Sequence, residues 1–317
     1  MPPDGSAAAI EPPVAGWLGA VLAGQALAGA AELSGGYRNR NTLISTAAGQ
    51  RFVLRQYLQP DGGHAGAIEA AVLARLTGLV PVAEIVAADL DGSATGLPTL
   101  LCRFVPGVLL KTALSDSTAP AADLGRSVGR TLAAIGAVAF DGPGAFTDAS
   151  LRTSDEPLPG ALPEFVLRCL SAGPAASVLS SGEQAAIVRL AGAAQADADA
   201  APSLSQLVHS DFNPKNLLVR EYAGSWTVAA VLDWEFAFSG SPLVDVGNML
   251  RFPEDLPPGF AEAFVAGFAE GGGLLPPGWR EISLALDLFA LADLLTRPAD
   301  HRYFRRALQA IRRQLSA

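Results

Sequence analysis

The sequence predicts an α+β protein of two lobes, a small β-rich N-terminal lobe followed by a larger, mainly helical C-terminal lobe. Three observations carry this. Runs rich in strand-forming residues, bounded by turn residues, crowd the first third of the chain. From Pro106 onward apolar residues recur at helical spacing. The switch falls at Val105-Pro106-Gly107, where a strand gives way to a turn. With 317 residues, half of them hydrophobic, the chain can fill one large domain or two lobes.

Taken in order, residues 1–13 are Pro-rich and expected to be disordered, leaving 14–105 for the first lobe and 106–317 for the second. Trp17 to Ala31 is apolar enough to suggest a signal peptide or a membrane span. It is short for a span, broken by Gln25, and preceded by Asp4 and Glu11 with no Lys or Arg, so it reads as an Ala-rich helix packed on the first lobe. Residues 41–46 and 50–58, separated by Ala47 to Gly49, read as a hairpin. In 65–78, Ile68, Val72, Leu73 and Leu76 fall on one helical face and Gly78 stops the helix. Strands at 83–88 and 99–105 complete the sheet. Helices follow at 121–138, 164–172, 182–196, 260–271, 281–296 and, strongly basic, 301–315. Pro and Gly cluster in 141–163, a connection long enough to be either functional or mobile.

A net charge of -9 excludes a nucleic-acid backbone partner and suits a cationic or neutral small molecule, or simply solubility. Cys102 and Cys169 sit in apolar runs as core residues and make no disulfide framework, so a reducing cytoplasm fits. His64, His209 and His301 are too scattered for a metal site.

The stretch that carries chemistry is LVHSDFNPKNLLV, 207–219, in which His209, Asp211 and Asn216 fit H-x-D-x-x-x-x-N inside what reads as a buried strand pair. A strand at 226–232 then delivers Asp233-Trp234-Glu235. Phosphoryl transfer needs such a set: one aspartate to orient a hydroxyl and accept its proton, and an amide and a carboxylate oxygen as hard ligands for Mg²⁺. Taken singly, each piece is an ordinary turn or cap, and Asn213-Pro214 is a good turn dipeptide. A Ser/His/Asp hydrolase is set aside, because Ser210 merely adjoins His209 and Asp211 in sequence and no G-x-S-x-G elbow exists.

At these residues the chain resembles the aminoglycoside phosphotransferase and choline kinase-like small-molecule kinases, a branch of the protein-kinase fold, over roughly 31–296. The resemblance implies Asp211 as catalytic base, Asn216 and Asp233 as metal ligands, and His209 as a brace for the loop. In GSPLVDVGNML it implies Asp245 as a buried anchor for the loop backbone. Upstream, Gly35-Gly36 with Asn39 resembles the family's G-G-x-x-N turn, where bare backbone approaches phosphate, while Arg38 and Arg40 face either phosphate or water. Arg55, rather than the competing Arg51, stands where protein kinases carry the phosphate-binding Lys, and Glu69 matches its partner acid. The backbone at Arg103, Phe104 and Val105 resembles the hinge strand that holds the adenine edge.

Two departures matter. Ser210 replaces the usual Gly of H-G-D, at a permissive position, and Lys215 either reaches the transferred phosphate or is simply exposed. The chain after Glu235 has no A-P-E-like segment, which disfavours a protein substrate. The reading is a cytoplasmic enzyme that moves the γ-phosphate of ATP or GTP, with Mg²⁺, to a hydroxyl of a small molecule: an aminoglycoside or other antibiotic-like compound, an amino alcohol or a sugar. Glu235, Asp287 and Asp293 are candidates to hold a cationic acceptor, or are only a helix's polar face. The alternatives are a silent nucleotide-binding scaffold and a choline or ethanolamine-type kinase.

Overall fold

A computed structural model describes residues 8–33, 38–116, 119–154 and 161–316 of the chain. Helix α1 (Pro12–Val21) starts with Pro in its first turn, where a missing N–H costs nothing. It buries Val14 and Leu18 against the sheet with Ile44, Phe52, Leu54 and Leu101. Residues 8–13, expected to be disordered, are thus partly helical, and Ala8 N–H donates to the Ala30 carbonyl at 3.0 Å. The apolar run expected as one helix divides in two. Left-handed Ala23 and Gly24 (φ 51° and 74°) end α1, and β1 (Leu27–Leu33) follows.

The hairpin forms as β2 (Asn39–Thr46) and β3 (Arg51–Tyr57), with Leu43 facing Val53 and Asn41 facing Arg55. Helix α2 (Gly62–Leu76) crosses over, and β4 (Ile85–Asp89) and β5 (Thr99–Arg103) complete a five-stranded sheet of order β1-β2-β3-β5-β4. The apolar face of α2 (Ile68, Val72, Leu73, Leu76) does not join the sheet's own cluster with α1. It belongs to the large apolar cluster that continues into the second lobe, while the helix packs on β3, β4 and β5.

Beyond the sheet lie β6 (Val108–Leu109), α3 (Leu110–Ser115) and α4 (Ala121–Gly136). Leu124, Val128, Leu132 and Ile135 give α4 its buried stripe. Next come β7 (Gly144–Ala145), α5 (Leu162–Ala172), α6 (Ala175–Val178) and α7 (Ser181–Asp199). Ser180 and Glu183 form a capping box at the start of α7. The expected strand pair around the H-x-D motif is not a pair. β8 (Gln206–Val208) lies with β7 and β11 (Phe238–Gly240), whereas β9 (Leu217–Tyr222) lies with β6 and β10 (Ser225–Val231). The motif is therefore the bridge between two small sheets.

Helices α8 (Leu243–Leu250), α9 (Phe260–Glu270), α10 (Trp279–Leu294) and α11 (Arg302–Ser316) close the second lobe. Helix α4 crosses α9 so closely that a Cβ on Gly125 or Gly129 would run into the carbonyls of Phe260 and Phe264. The charge of α11 is a solvated face: Arg305, Arg312 and Arg313 point outward while Phe304, Leu308 and Ile311 are buried. Among the described residues no helix is long and apolar enough to cross a membrane.

Candidate active site

The loop from His209 to Asn216 is held from beneath by two buried groups. Asp245, in the first turn of α8 and fully buried, accepts the backbone N–H groups of His209 (2.7 Å) and Ser210 (2.8 Å). Those bonds favour its ionised form, but burial outweighs them and pushes its carboxyl up to about 7. Ser210 is left-handed (φ 71°), which explains why the related motif favours glycine there. His209, also fully buried, donates from Nε2 to the Leu232 carbonyl at 2.8 Å and accepts the Asp211 N–H on Nδ1 at 3.2 Å. One ring nitrogen donates and the other accepts, so the imidazole is neutral, in accord with the lowering of its pKa by burial. Its ring lies 4.5 Å from that of Trp234, itself fully buried.

Above these anchors, Asp211 is gripped by two amides. Asn213 Nδ2 donates to its carbonyl (3.0 Å) and Oδ1 (2.6 Å), and Asn216 Nδ2 donates to its carbonyl (3.0 Å) and Oδ2 (2.8 Å). A carboxylate locked this way can present its remaining lone pairs to a hydroxyl without an entropic cost of alignment.

Asn216 and Asp233 stand on adjoining segments, because the Leu232 N–H donates to the Asn216 carbonyl at 2.8 Å. With its Nδ2 turned to Asp211, Asn216 has Oδ1 free of protein hydrogen bonds among the described residues, and so has Asp233 at Oδ2. An amide oxygen and a carboxylate oxygen are hard donors of the kind that fit Mg²⁺. Among the described residues no group of three His, Cys, Asp or Glu could hold a metal ion.

Arg55 spans the cleft from β3. Its Nη2 meets Asp233 Oδ1 at 2.5 Å and its Nε lies 3.2 Å from Glu69 Oε2. Burial alone would lower its pKa, but the two carboxylates outweigh burial and raise it, so the guanidinium is permanently charged. Arg51 opens the strand, and its guanidinium lies 4.1 Å from the centre of the Phe104 ring. Asn39 Nδ2 donates to Glu235 Oε2 at 3.3 Å, and Arg38 Nε is 3.6 Å from the same oxygen.

Three sequence expectations change. Asp287 does not face an acceptor: it is 2% exposed and accepts Arg251 Nε and Nη2 at 2.6–3.0 Å and Asn248 Nδ2 at 3.2 Å, all inside the core. Glu235 is engaged by Asn39 and Arg38 of the first lobe rather than standing free. In the hinge, the Arg103 N–H donates to the Glu84 carbonyl (2.8 Å) and the Phe104 N–H to the Arg51 carbonyl (3.1 Å). Of the three residues, Val105 alone keeps a backbone donor for a base edge. The expected Gly35-Gly36 turn lies outside the described residues. Lys215 is exposed, with Nζ 4.7 Å from the centre of the Tyr303 ring.

Sequence reasoning missed Tyr57, whose hydroxyl donates to Glu69 Oε2 at 2.6 Å, and the clamping role of Asn213. The only signal for Asn213 was its place two residues beyond Asp211, and Asn-Pro accounted for that as a turn.

Fold and loop together define a small-molecule phosphotransferase of kinase-like architecture. The chain belongs to the phosphotransferase enzyme family (APH), whose model matches residues 29–285. Among solved structures it is similar to aminoglycoside phosphotransferase APH(4)-Ia, at 18% identity and TM-score 0.68 over 96% of this chain and 98% of that one. It is also similar to macrolide 2'-phosphotransferase MphH from Brachybacterium faecium, at 20% identity and TM-score 0.63 over 93% and 96%. Likeness at these identities establishes the fold. No curated protein matches the sequence.

Proposed function

We propose that this protein transfers the γ-phosphoryl group of ATP to a hydroxyl of a small molecule. The observation that carries this is the grip on Asp211 by Asn213 and Asn216, beside the free oxygens of Asn216 and Asp233. Asp211 orients the acceptor hydroxyl and takes its proton. Arg55, anchored by Glu69, faces the phosphates, and the Val105 N–H meets the base. Asn216 Oδ1 and Asp233 would hold Mg²⁺, which would supply neutralisation of charge on the transferred phosphate. His209 and Asp245 hold the loop rigid, so catalysis is positioning plus electrostatics.

ATP is favoured as donor because a variant of APH(4)-Ia, a structural neighbour at 19% identity, forms a ternary complex with AMP-PNP and hygromycin B. The macrolide enzyme among the neighbours widens the acceptor class to antibiotic-like compounds beyond aminoglycosides. With Asp287 and Glu235 already paired inside the protein, a polycationic acceptor has fewer of the expected acids to bind, which favours neutral hydroxyl acceptors. Two unpaired cysteines support a cytoplasmic setting.

The test is ATP consumption against a panel of aminoglycosides, macrolides, amino alcohols and sugars, with Asp211→Ala as control. Turnover with any acceptor should fall by ~10²–10⁴-fold in the variant while AMP-PNP binding persists. Wild-type turnover by D211A would refute the assignment.

A further inference from the structure

Tyr57 is a buried polar residue of the cleft that the proposed chemistry leaves unused. It stands two residues after Arg55 on β3, so both side chains emerge on the same face of the sheet. Tyr57 is 1% and Glu69 3% exposed, and the 2.6 Å bond between them is shielded from water. The oxygen that accepts it, Oε2, is the one that lies 3.2 Å from Arg55 Nε, and the Arg55 guanidinium carbon sits 5.4 Å from the Tyr57 ring centre.

Helix α2 is shaped to admit that ring. A Cβ on Gly62 would stand 2.7 Å from Tyr57 Cβ, and one on Gly66 would stand 2.9 Å from ring atom Cε2. Two glycines one turn apart therefore let the ring lie flush beneath the helix, with Glu69 one turn further on. Helix α2 packs on β3, β4 and β5, so the Tyr57–Glu69 bond is a buried polar link between this helix and the sheet strand that carries Arg55. Arg55 has a second claimant, Asp233, at its other end. Burial favours the neutral form of Glu69, and the Tyr57 hydroxyl, with Arg55, opposes that.

We infer that Tyr57 is a positioning residue for nucleotide binding: by holding Glu69 in place it fixes the Nε end of the Arg55 guanidinium, and so its orientation over the phosphate site. This rests on the nucleotide-binding reading above. Titration calorimetry with AMP-PNP and MgCl₂ tests it on wild type, Tyr57→Phe, Glu69→Gln and the double variant. Y57F should bind roughly tenfold more weakly, the effect of one hydrogen bond to a charged group. Because Tyr57 acts through Glu69, the double variant should bind no more weakly than E69Q alone, a result that a general packing role would not give.

Wild-type affinity in Y57F, or full additivity in the double variant, overturns the inference. Near-UV circular dichroism reports whether Y57F keeps its fold; if it does not, Gly66→Ala strains the same link from the helix, and undiminished AMP-PNP affinity there is equally fatal. A wild-type protein that ignores AMP-PNP overturns the phosphotransferase reading itself. Binding by wild type and Y57F alike overturns only the role of Tyr57.

Discussion

Replacing Asp287 by Ala separates a structural carboxylate from an acceptor ligand. Asp287 and Arg251 are 2% and 8% exposed, and three guanidinium contacts of 2.6–3.0 Å plus the Asn248 amide saturate the carboxylate. Its removal strands a charged guanidinium in the core, the situation that costs ~3–5 kcal/mol, far above the small volume lost. At this chain length the melting temperature should fall by roughly 5–10 °C. Equilibrium urea unfolding followed by far-UV circular dichroism measures the loss. The informative partner is Arg251→Met with Asp287→Leu, which removes both charges and keeps volume: it should lie within ~2 kcal/mol of wild type. In that folded double variant, acceptor KM should be unchanged. A D287A protein within ~1 kcal/mol of wild type, or a double variant as unstable as the single, refutes the buried-pair argument. A raised acceptor KM in the stable double variant would restore Asp287 to the acceptor site.

Ser210→Gly should stabilise the protein by ~0.5–1 kcal/mol, read by urea midpoint, because glycine removes the left-handed penalty while keeping the N–H that Asp245 accepts. Gly129→Ala should cost ~2 kcal/mol or more in the same assay, since its Cβ meets the Phe264 carbonyl at the α4–α9 crossing. The stability of wild type relative to Asp245→Asn should depend on pH. The folded-state pKa of Asp245 is raised from the ordinary 3.8 to about 7, so its contribution is fully present below about 4 and lost as pH rises through 7. The gap between the two proteins should therefore change by ~1.4 kcal/mol per pH unit across that window, and a flat gap would show that Asp245 titrates normally.

Most strands and helices were legible because their apolar residues fall at one period only: Leu124, Val128, Leu132 and Ile135 allow nothing but a helix face. The first lobe's start was misread because Ala and Gly carry too little periodicity to separate the end of α1 from β1, and the division is made by the backbone at Ala23 and Gly24. The residues that meet at the loop were picked out by residue type at motif spacing: the fold joins Asn216 to Asp211 and sets the Asp233 segment beside them. What was not legible is which carboxylate meets which cation. Asp287 and Glu235 are ordinary helix and turn acids in sequence, and only the fold brings Arg251 and Asn39 to them. The hinge shows the same limit, since hydrogen bonding of a backbone N–H leaves no mark on residue identity.

The division of cores bears on how the cleft works. The sheet's apolar cluster is shared with α1, whereas the apolar face of α2, which packs on β3, β4 and β5, belongs to the cluster that runs into the second lobe, so a seam between apolar cores passes through the first lobe. Polar ties across that seam (Tyr57–Glu69, Arg55–Glu69, Arg55–Asp233, Asn39–Glu235) converge on the phosphate side. Short polar bonds lose most of their worth within an ångström or so of displacement, whereas apolar packing tolerates sliding. Movement of the sheet is thereby penalised where phosphate would lie and less so at α1. The Arg55–Asp233 contact is the one of these ties that runs directly to the segment beside Asn216, so a ligand that competed for the guanidinium would exchange one tie across the cleft for another.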